Sequence, residues 1–237
     1  MDPAHRIEVG DTGQVGRPLH RSGFSITGSR HLSNGDRYAV SGRLAVVTDG
    51  VSGSRLGADA AQACVDMIRN GWSDSQGDCT AGNLLYLLQT INGGLLARAM
   101  SLPSNERHRG GCCIAGVAFG AGEQHALLFH AGDVSVHRLT TGVLERLTQD
   151  HVPASGSRRR GRVRSALGVV AAPEISISEI AVRSDDIFVI ASDGCELDKH
   201  VWPDLPGNVT DLSNILHDRI AVFEPEDDAT ALVLCAT

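Results

Sequence analysis

No run of the sequence approaches the ~18 consecutive apolar residues of a membrane-spanning helix, so no membrane partner is expected. The opening MDPAHRIEVGDTG is polar and lacks the charged-then-apolar order of an export signal, which predicts a cytoplasmic protein. Positive charge is also short: 21 Lys and Arg stand against 28 Asp and Glu, a formal net charge of −7. A dedicated nucleic-acid surface must neutralise many phosphates and needs a broad basic face, so nucleic acid is not an expected partner. The six cysteines (Cys64, Cys79, Cys112, Cys113, Cys195, Cys235) include no C-x-x-C pair. They read as reduced thiols, several of them in apolar runs where cysteine behaves as a small hydrophobe. Nucleotide and serine-nucleophile motifs are missing too. The loop GVSGSRLG (50–57) has no Gly-Lys-Ser/Thr ending and no complete G-x-G-x-x-G, and neither Ser52 nor Ser192 stands in G-x-S-x-G.

What is present is a chain of 237 residues, 42% of them apolar, which suits one large domain. Residues 1–22 read as a leader or edge segment and 23–237 as the folded domain. Nine strand-like runs fall at 24–29, 36–41, 43–49, 112–120, 124–133, 134–140, 175–182, 186–193 and 228–236. Helical spacing appears at 58–70, 82–100 and 210–221. The leucines of 84–96 are most simply core. Turn-like GD, TG and SG elements join several of the strands, as in antiparallel meanders. This order predicts an α+β sandwich in place of a regularly alternating parallel fold.

The aspartates are placed unusually. Asp49 ends the run AVVT and precedes Gly50, Asp193 ends DIFVIAS and precedes Gly194, Asp133 follows LLFHAG, and Asp36 and the pair Asp227-Asp228 open strands. A single Asp-Gly is ordinarily a turn, because aspartate tolerates turn geometry and glycine supplies positive φ. Strands packed side by side could instead bring these acids together, and converging carboxylates repel one another unless a cation neutralises them. Oxygen-only ligands suit hard divalent ions, Mg²⁺ or Mn²⁺, and a glycine after the acid lets its own carbonyl approach the ion.

The order of segments resembles the metal-dependent serine/threonine protein phosphatases of type 2C, in their bacterial single-domain form. AVVTDGVSGSRLGADAA is similar to the family's strand, Asp-Gly, glycine-rich loop and helix. HAGDVSVHRLTTGVLERLTQDH is similar to its Gly-Asp-Ser strand and Leu-Thr-x-Asp-His ending. RSALG, VIASDGCEL and EDDATALVL match its Arg-Ala-Leu-Gly, Ser-Asp-Gly and final Asp-Asn/Asp-x-Thr elements. The resemblance spans residues 24–236 and implies a four-layer αββα sandwich, two antiparallel β-sheets flanked by helices, with 23–237 as the catalytic domain. It also implies two Mn²⁺ or Mg²⁺ ions and a weaker third. Asp49 would bridge the pair, Gly50 would offer its carbonyl to one ion, Asp193 and Asp227 would hold the other, and Asp133 would serve the third. The implied reaction is hydrolysis of phosphoserine and phosphothreonine in proteins, by a two-metal-activated water attacking phosphorus in line. The implied partners are a phosphoprotein substrate and a cognate serine/threonine kinase, and the enzyme is expected to be a monomer.

Departures from the pattern raise a second reading, a weakened or inactive module that keeps the fold and binds phosphoproteins. A third is a phosphatase for a small phosphorylated metabolite. The first motif is Asn34-Gly35-Asp36, without the side chain that other members carry at its centre, so Asp36 must serve the metal or one ion is held more weakly. The family's phosphate-binding arginine falls on His31, with Arg30 one residue further out; both are substrate-binding candidates, and His31 is a candidate acid for the leaving group. The Gly-Thr-Thr strand appears as Gly111-Cys112-Cys113. The one basic cluster, Arg158, Arg159 and Arg160 followed by Arg162 and Arg164, falls where the family has a flap beside the active site. It reads as a solvated loop or as a flap that binds acidic or phosphorylated partners. Cys195 reads as a redox-sensitive thiol near the metals or as a packed small residue.

Overall fold

Alternation along the strands decides where the core lies. In β4 (Leu44–Gly50) Leu44 and Val46 join one apolar cluster, whereas Ala45 and Val47 join another on the opposite face. In β10 (Ile187–Ala191) Phe188 and Ile190 join the second cluster, and Ile187, Val189 and Ala191 a third. Each strand is therefore buried on both faces, which is why its sequence reads as an unbroken apolar run. The consequence is three apolar layers and four layers of secondary structure.

The structure, a computed structural model, describes residues 5–7, 19–51, 55–72, 79–120, 124–151 and 165–236. One sheet has the order β1 (His5–Ile7), β2 (Leu19–Ile26), β11 (Ala229–Ala236), β10, β7 (Ser135–Thr140), β8 (Val143–Arg146). The other runs β3 (Arg37–Ser41), β4, β5 (Cys112–Phe119), β6 (His125–Ala131), β9 (Ser176–Ala181). Neighbours in both sheets pair antiparallel. The sheets meet through Ala45, Val47, Ala115, Val117, Phe188, Ile190, Leu232 and Leu234. Helices α1 (Arg55–Gly71) and α2 (Ala81–Met100) cover the second sheet, while α3 (Val209–Val222) covers the first. This is the four-layer sandwich that the resemblance implies.

The helices begin where polar caps accept their free amides. Thr80 takes the amide of Asn83 at 3.2 Å and Asn208 that of Asp211 at 2.8 Å. Leu84, Leu88, Ile91 and Leu95, at helical spacing, form the buried stripe of α2. All six cysteines are free, and among the described residues no helix is long and apolar enough to cross a membrane.

Two strands were not legible. The segment VLER of β8 is short and half exposed, and its pairing with β7 through the Thr141-Gly142 turn, both at positive φ, supplies what its composition does not. The other is β1. In addition, β2 starts at Leu19 and pairs with β11 along its whole length, from Ile26 opposite Ala229 to Leu19 opposite Ala236. The boundary drawn after residue 22 thus falls inside a strand, because His20 and Arg21 mask its apolar alternation.

Phe188 is fully buried between the sheets, edge-on to Phe119 at 5.7 Å. Phe188→Ala should cost about 3–5 kcal/mol of stability. Urea unfolding checks this, and a loss below ~1 kcal/mol would contradict the two-sheet core.

Candidate metal centre

Strand parity delivers the acids to one end of the sandwich. Asp49 continues the Ala45–Val47 face of β4, which looks toward the other sheet, and pairs across β5 with Cys113. Asp228 and Thr230 precede Leu232 and Leu234 on the same face of β11, and Ser192 follows Phe188 and Ile190 beyond β10. Asp133 lies in the turn from β6 to β7. Asp49 is therefore placed by a strand whose remaining residues are locked in a dry core.

These acids repel one another. Burial raises the Asp49 carboxyl well above the usual range, and repulsion from Asp36, Asp193, Asp133 and Asp227 raises it further. Asp36 is raised well above by burial; a hydrogen bond from Ser192 pulls it back, while Asp228 and Asp193 push it up. Asp133 is raised by burial, lowered by the Cys113 thiol that hydrogen-bonds it, and raised by Asp150 and Asp227. Desolvation, then Asp133, Asp227 and Asp150, push Asp193 up to about 7. As a whole residue Asp193 is nonetheless solvent-exposed, so water screens part of that effect and its sign counts for more than its size.

Backbone contacts hold the turns that carry these acids. A Cβ on Gly194 would lie 2.1 Å from the Asp228 carbonyl oxygen, so the Asp193 and Asp228 turns touch main chain to main chain. Similarly, a Cβ on Gly50 would lie 2.4 Å from the Gly57 carbonyl carbon, which seats the start of α1 directly on the Asp49-Gly50 turn. Glycine at these points is a packing requirement.

Beneath the acids runs a polar network. Ser192 Oγ donates to Asp36 Oδ2 at 2.7 Å and accepts the Thr230 amide at 2.9 Å. Asn34 Oδ1 accepts the Asp36 amide at 2.8 Å, and its amide nitrogen donates to Ser25 Oγ at 2.9 Å. Asp36 Oδ1 and Asp133 Oδ1 are buried yet accept no hydrogen bond. Unpartnered carboxylate oxygens in a ring of mutually repelling aspartates are the donor set that a hard divalent cation satisfies. The donor chemistry therefore fits Mn²⁺ or Mg²⁺; among the described residues the group of three whose ligand atoms lie within 4.8 Å of one another is His31, Asp227 and Asp228, and it does not include Asp49, Asp193 or Asp36. A 220 Å³ cavity between α1 and α2, lined by Leu56, Leu95, Ala99 and Leu102, includes none of these acids.

The substrate-binding candidates divide. Arg30 lies on the rim in an ion pair with Glu226 at 2.9 Å, both side chains about half exposed. His31 turns inward: Nδ1 lies 2.9 Å from Asp228 Oδ2 and 3.5 Å from Asp227 Oδ1. Arg158, Arg159 and Arg160 lie outside the described residues. The sequence marks Asp228 only as the partner of Asp227 and gives it no role, yet its carboxylate accepts the Gly28 amide at 2.8 Å and the Gly35 amide at 2.6 Å. Sequence reasoning passed over Asp150, which acts on Asp133 and Asp193 while Arg146 pairs with it and with Asp198. The doubled acid at 227–228 was the available signal for the first; Asp150 could be placed only by the fold. Cys195 is buried in the apolar cluster under α3, and burial raises its thiol well above the ordinary range, so it is a packed residue.

No protein-family model matches the chain. It is 22% identical over 198 residues to the serine/threonine phosphatase stp of Listeria monocytogenes, covering 78% of this chain and 75% of that protein. Among solved structures it is similar to PppA, a key regulatory component of the T6SS in Pseudomonas aeruginosa, with a TM-score of 0.80 and 24% identity over 93% of this chain and 98% of the other. It is also similar to the catalytic domain of the serine/threonine protein phosphatase PstP in complex with two manganese ions, with a TM-score of 0.74 and 19% identity over 92% and 97% of the two chains. The chain has the fold of the metal-dependent serine/threonine protein phosphatases, and its resemblance to that class holds in sequence and in architecture.

One consequence is measurable without substrate. An aspartate whose carboxyl titrates near 7 when folded, against 3.8 ordinarily, is ionised more readily in the unfolded chain. The metal-free protein should therefore lose stability as pH rises from about 4 to about 7. A divalent ion that binds only the folded state removes this penalty. The Tm gain on adding Mn²⁺ should accordingly be larger at pH 7 than at pH 5, and an equal gain at both would argue against an ion among these acids.

Proposed function

We propose that this protein is a metal-dependent phosphatase that hydrolyses phosphoserine and phosphothreonine in proteins, opposing a serine/threonine kinase. The observation that carries the reading is the single acidic mouth in which Asp49 is repelled by Asp36, Asp193, Asp133 and Asp227, in a fold shared with a manganese-bound phosphatase domain. Asp49, the Gly50 carbonyl, Asp193 and Asp227 would hold the divalent ions. Asp36 would contribute its free oxygen in place of the side chain missing at Gly35, and Asp133 would serve a weaker third position. Bound divalent cations supply an activated water for in-line attack and neutralise charge on the phosphoryl group. Ser192 and Asn34 hold Asp36, and the glycine contacts fix the turns, so that the carboxylates keep their places against their own repulsion. Arg30, half exposed on the rim, can exchange Glu226 for a phosphoryl oxygen.

The inactive-module reading gives the opposite result in a direct assay. With Mn²⁺ and p-nitrophenyl phosphate the protein should turn over, and Asp193→Asn should reduce the rate by about a hundredfold. Equal rates for the two proteins would remove the enzyme reading. For the arginine-rich segment, replacing Arg158, Arg159 and Arg160 with Ala should slow turnover of phosphoproteins more than turnover of the small ester. Equal slowing would count against substrate selection by that segment.

A further inference from the structure

His31 occupies an unusual position between two carboxylates. Among the described residues, ligand atoms of His31, Asp227 and Asp228 lie within 4.8 Å of one another. The imidazole side chain is 17% exposed, that of Asp228 4% and that of Asp227 57%, so the group opens to solvent on one side. An ordinary imidazole–carboxylate pair would align a ring N–H with an acceptor. Here Nδ1 comes within 2.9 Å of Asp228 Oδ2, yet it is buried without a hydrogen bond, because the approach lacks the required direction.

Donor atoms sharing one ion at the ~2.1 Å bond length of a first-row divalent metal lie about 3.0 Å apart at right angles and about 3.4 Å apart at the tetrahedral angle. The distances from Nδ1, 2.9 Å to Asp228 and 3.5 Å to Asp227, correspond to that spacing. Asp228 is preorganised for this role. The Gly28 amide occupies one lone pair of Oδ1 and the Gly35 amide one of Oδ2, leaving a second lone pair on each. Buried polar atoms of the mouth are thus left without a hydrogen bond, His31 Nδ1 and Asp36 Oδ1 among them.

We infer that His31 Nδ1, Asp227 and Asp228 form a mixed nitrogen–oxygen metal site, which gives the acidic mouth a preference for Zn²⁺ or Mn²⁺ over Mg²⁺. An imidazole donor suits transition ions, whereas Mg²⁺ favours oxygen alone. The inference rests on the reading of the acidic mouth as a metal centre, and departs from it in assigning His31 to the ion instead of the substrate.

Titration calorimetry of the metal-free protein with Zn²⁺, Mn²⁺ and Mg²⁺, each alone, provides the test. His31→Ala and His31→Gln should both weaken the tightest Zn²⁺ binding by about a hundredfold, the upper range seen when a metal site loses even an outer partner, with Mg²⁺ binding unchanged. Gln keeps volume and hydrogen bonding but supplies no imidazole. In wild-type protein with ¹⁵N-labelled histidine, Zn²⁺ should displace the Nδ1 signal of His31, a readout that does not depend on a variant folding. Unchanged Zn²⁺ affinity in folded variants, or an unmoved Nδ1 signal, would reduce His31 to an ion pair while leaving the metal centre standing. A wild-type protein that binds none of the three ions would overturn both.

Discussion

Repulsion among carboxylates is the constraint around which the end of this sandwich is built. Asp49, the acid at its centre, is flanked by four others at the edge of a dry core, where desolvation already disfavours charge. The fold offsets part of that cost with directed donors. Ser192 hydrogen-bonds Asp36, and the backbone amides of Gly28 and Gly35 hydrogen-bond Asp228. It offsets the rest with apolar burial elsewhere, for the strands that end in these acids are buried on both faces. The oxygens left over, Asp36 Oδ1 and Asp133 Oδ1, are not served by protein at all. They are acceptors that a bound cation would satisfy.

The same two-faced strands explain what could be read in advance. Runs such as LAVV and IFVIA declare strands because every residue is buried, and the acids at their ends are visible as breaks in an apolar pattern. Asp36, Asp49, Asp133, Asp193 and Asp227 were therefore legible as candidates, and the fold brings them into mutual electrostatic contact. Facing direction was less legible. Nothing in the letters Asp227-Asp228 says which carboxylate turns inward; the register of β11 against β10 and β2 decides it, leaving Asp227 exposed and Asp228 buried. Likewise β8 consists of half-exposed residues that only its hairpin with β7 makes a strand, and Asp150 reaches the acids from the segment just beyond it.

The glycine in the first motif is not simply a loss. A Cβ placed on Gly35 would meet Asp228 Oδ2 at 3.4 Å, ordinary contact for a methyl group. That oxygen already takes the Gly35 amide and lies beside His31, so Gly35, Asp228 and His31 lie together. The residue without a side chain leaves room for a buried carboxylate anchored by two amides, and that carboxylate lies beside the ring that replaces an arginine. The departures at Gly35 and His31 thus fall at one place in space, against the same carboxylate of Asp228.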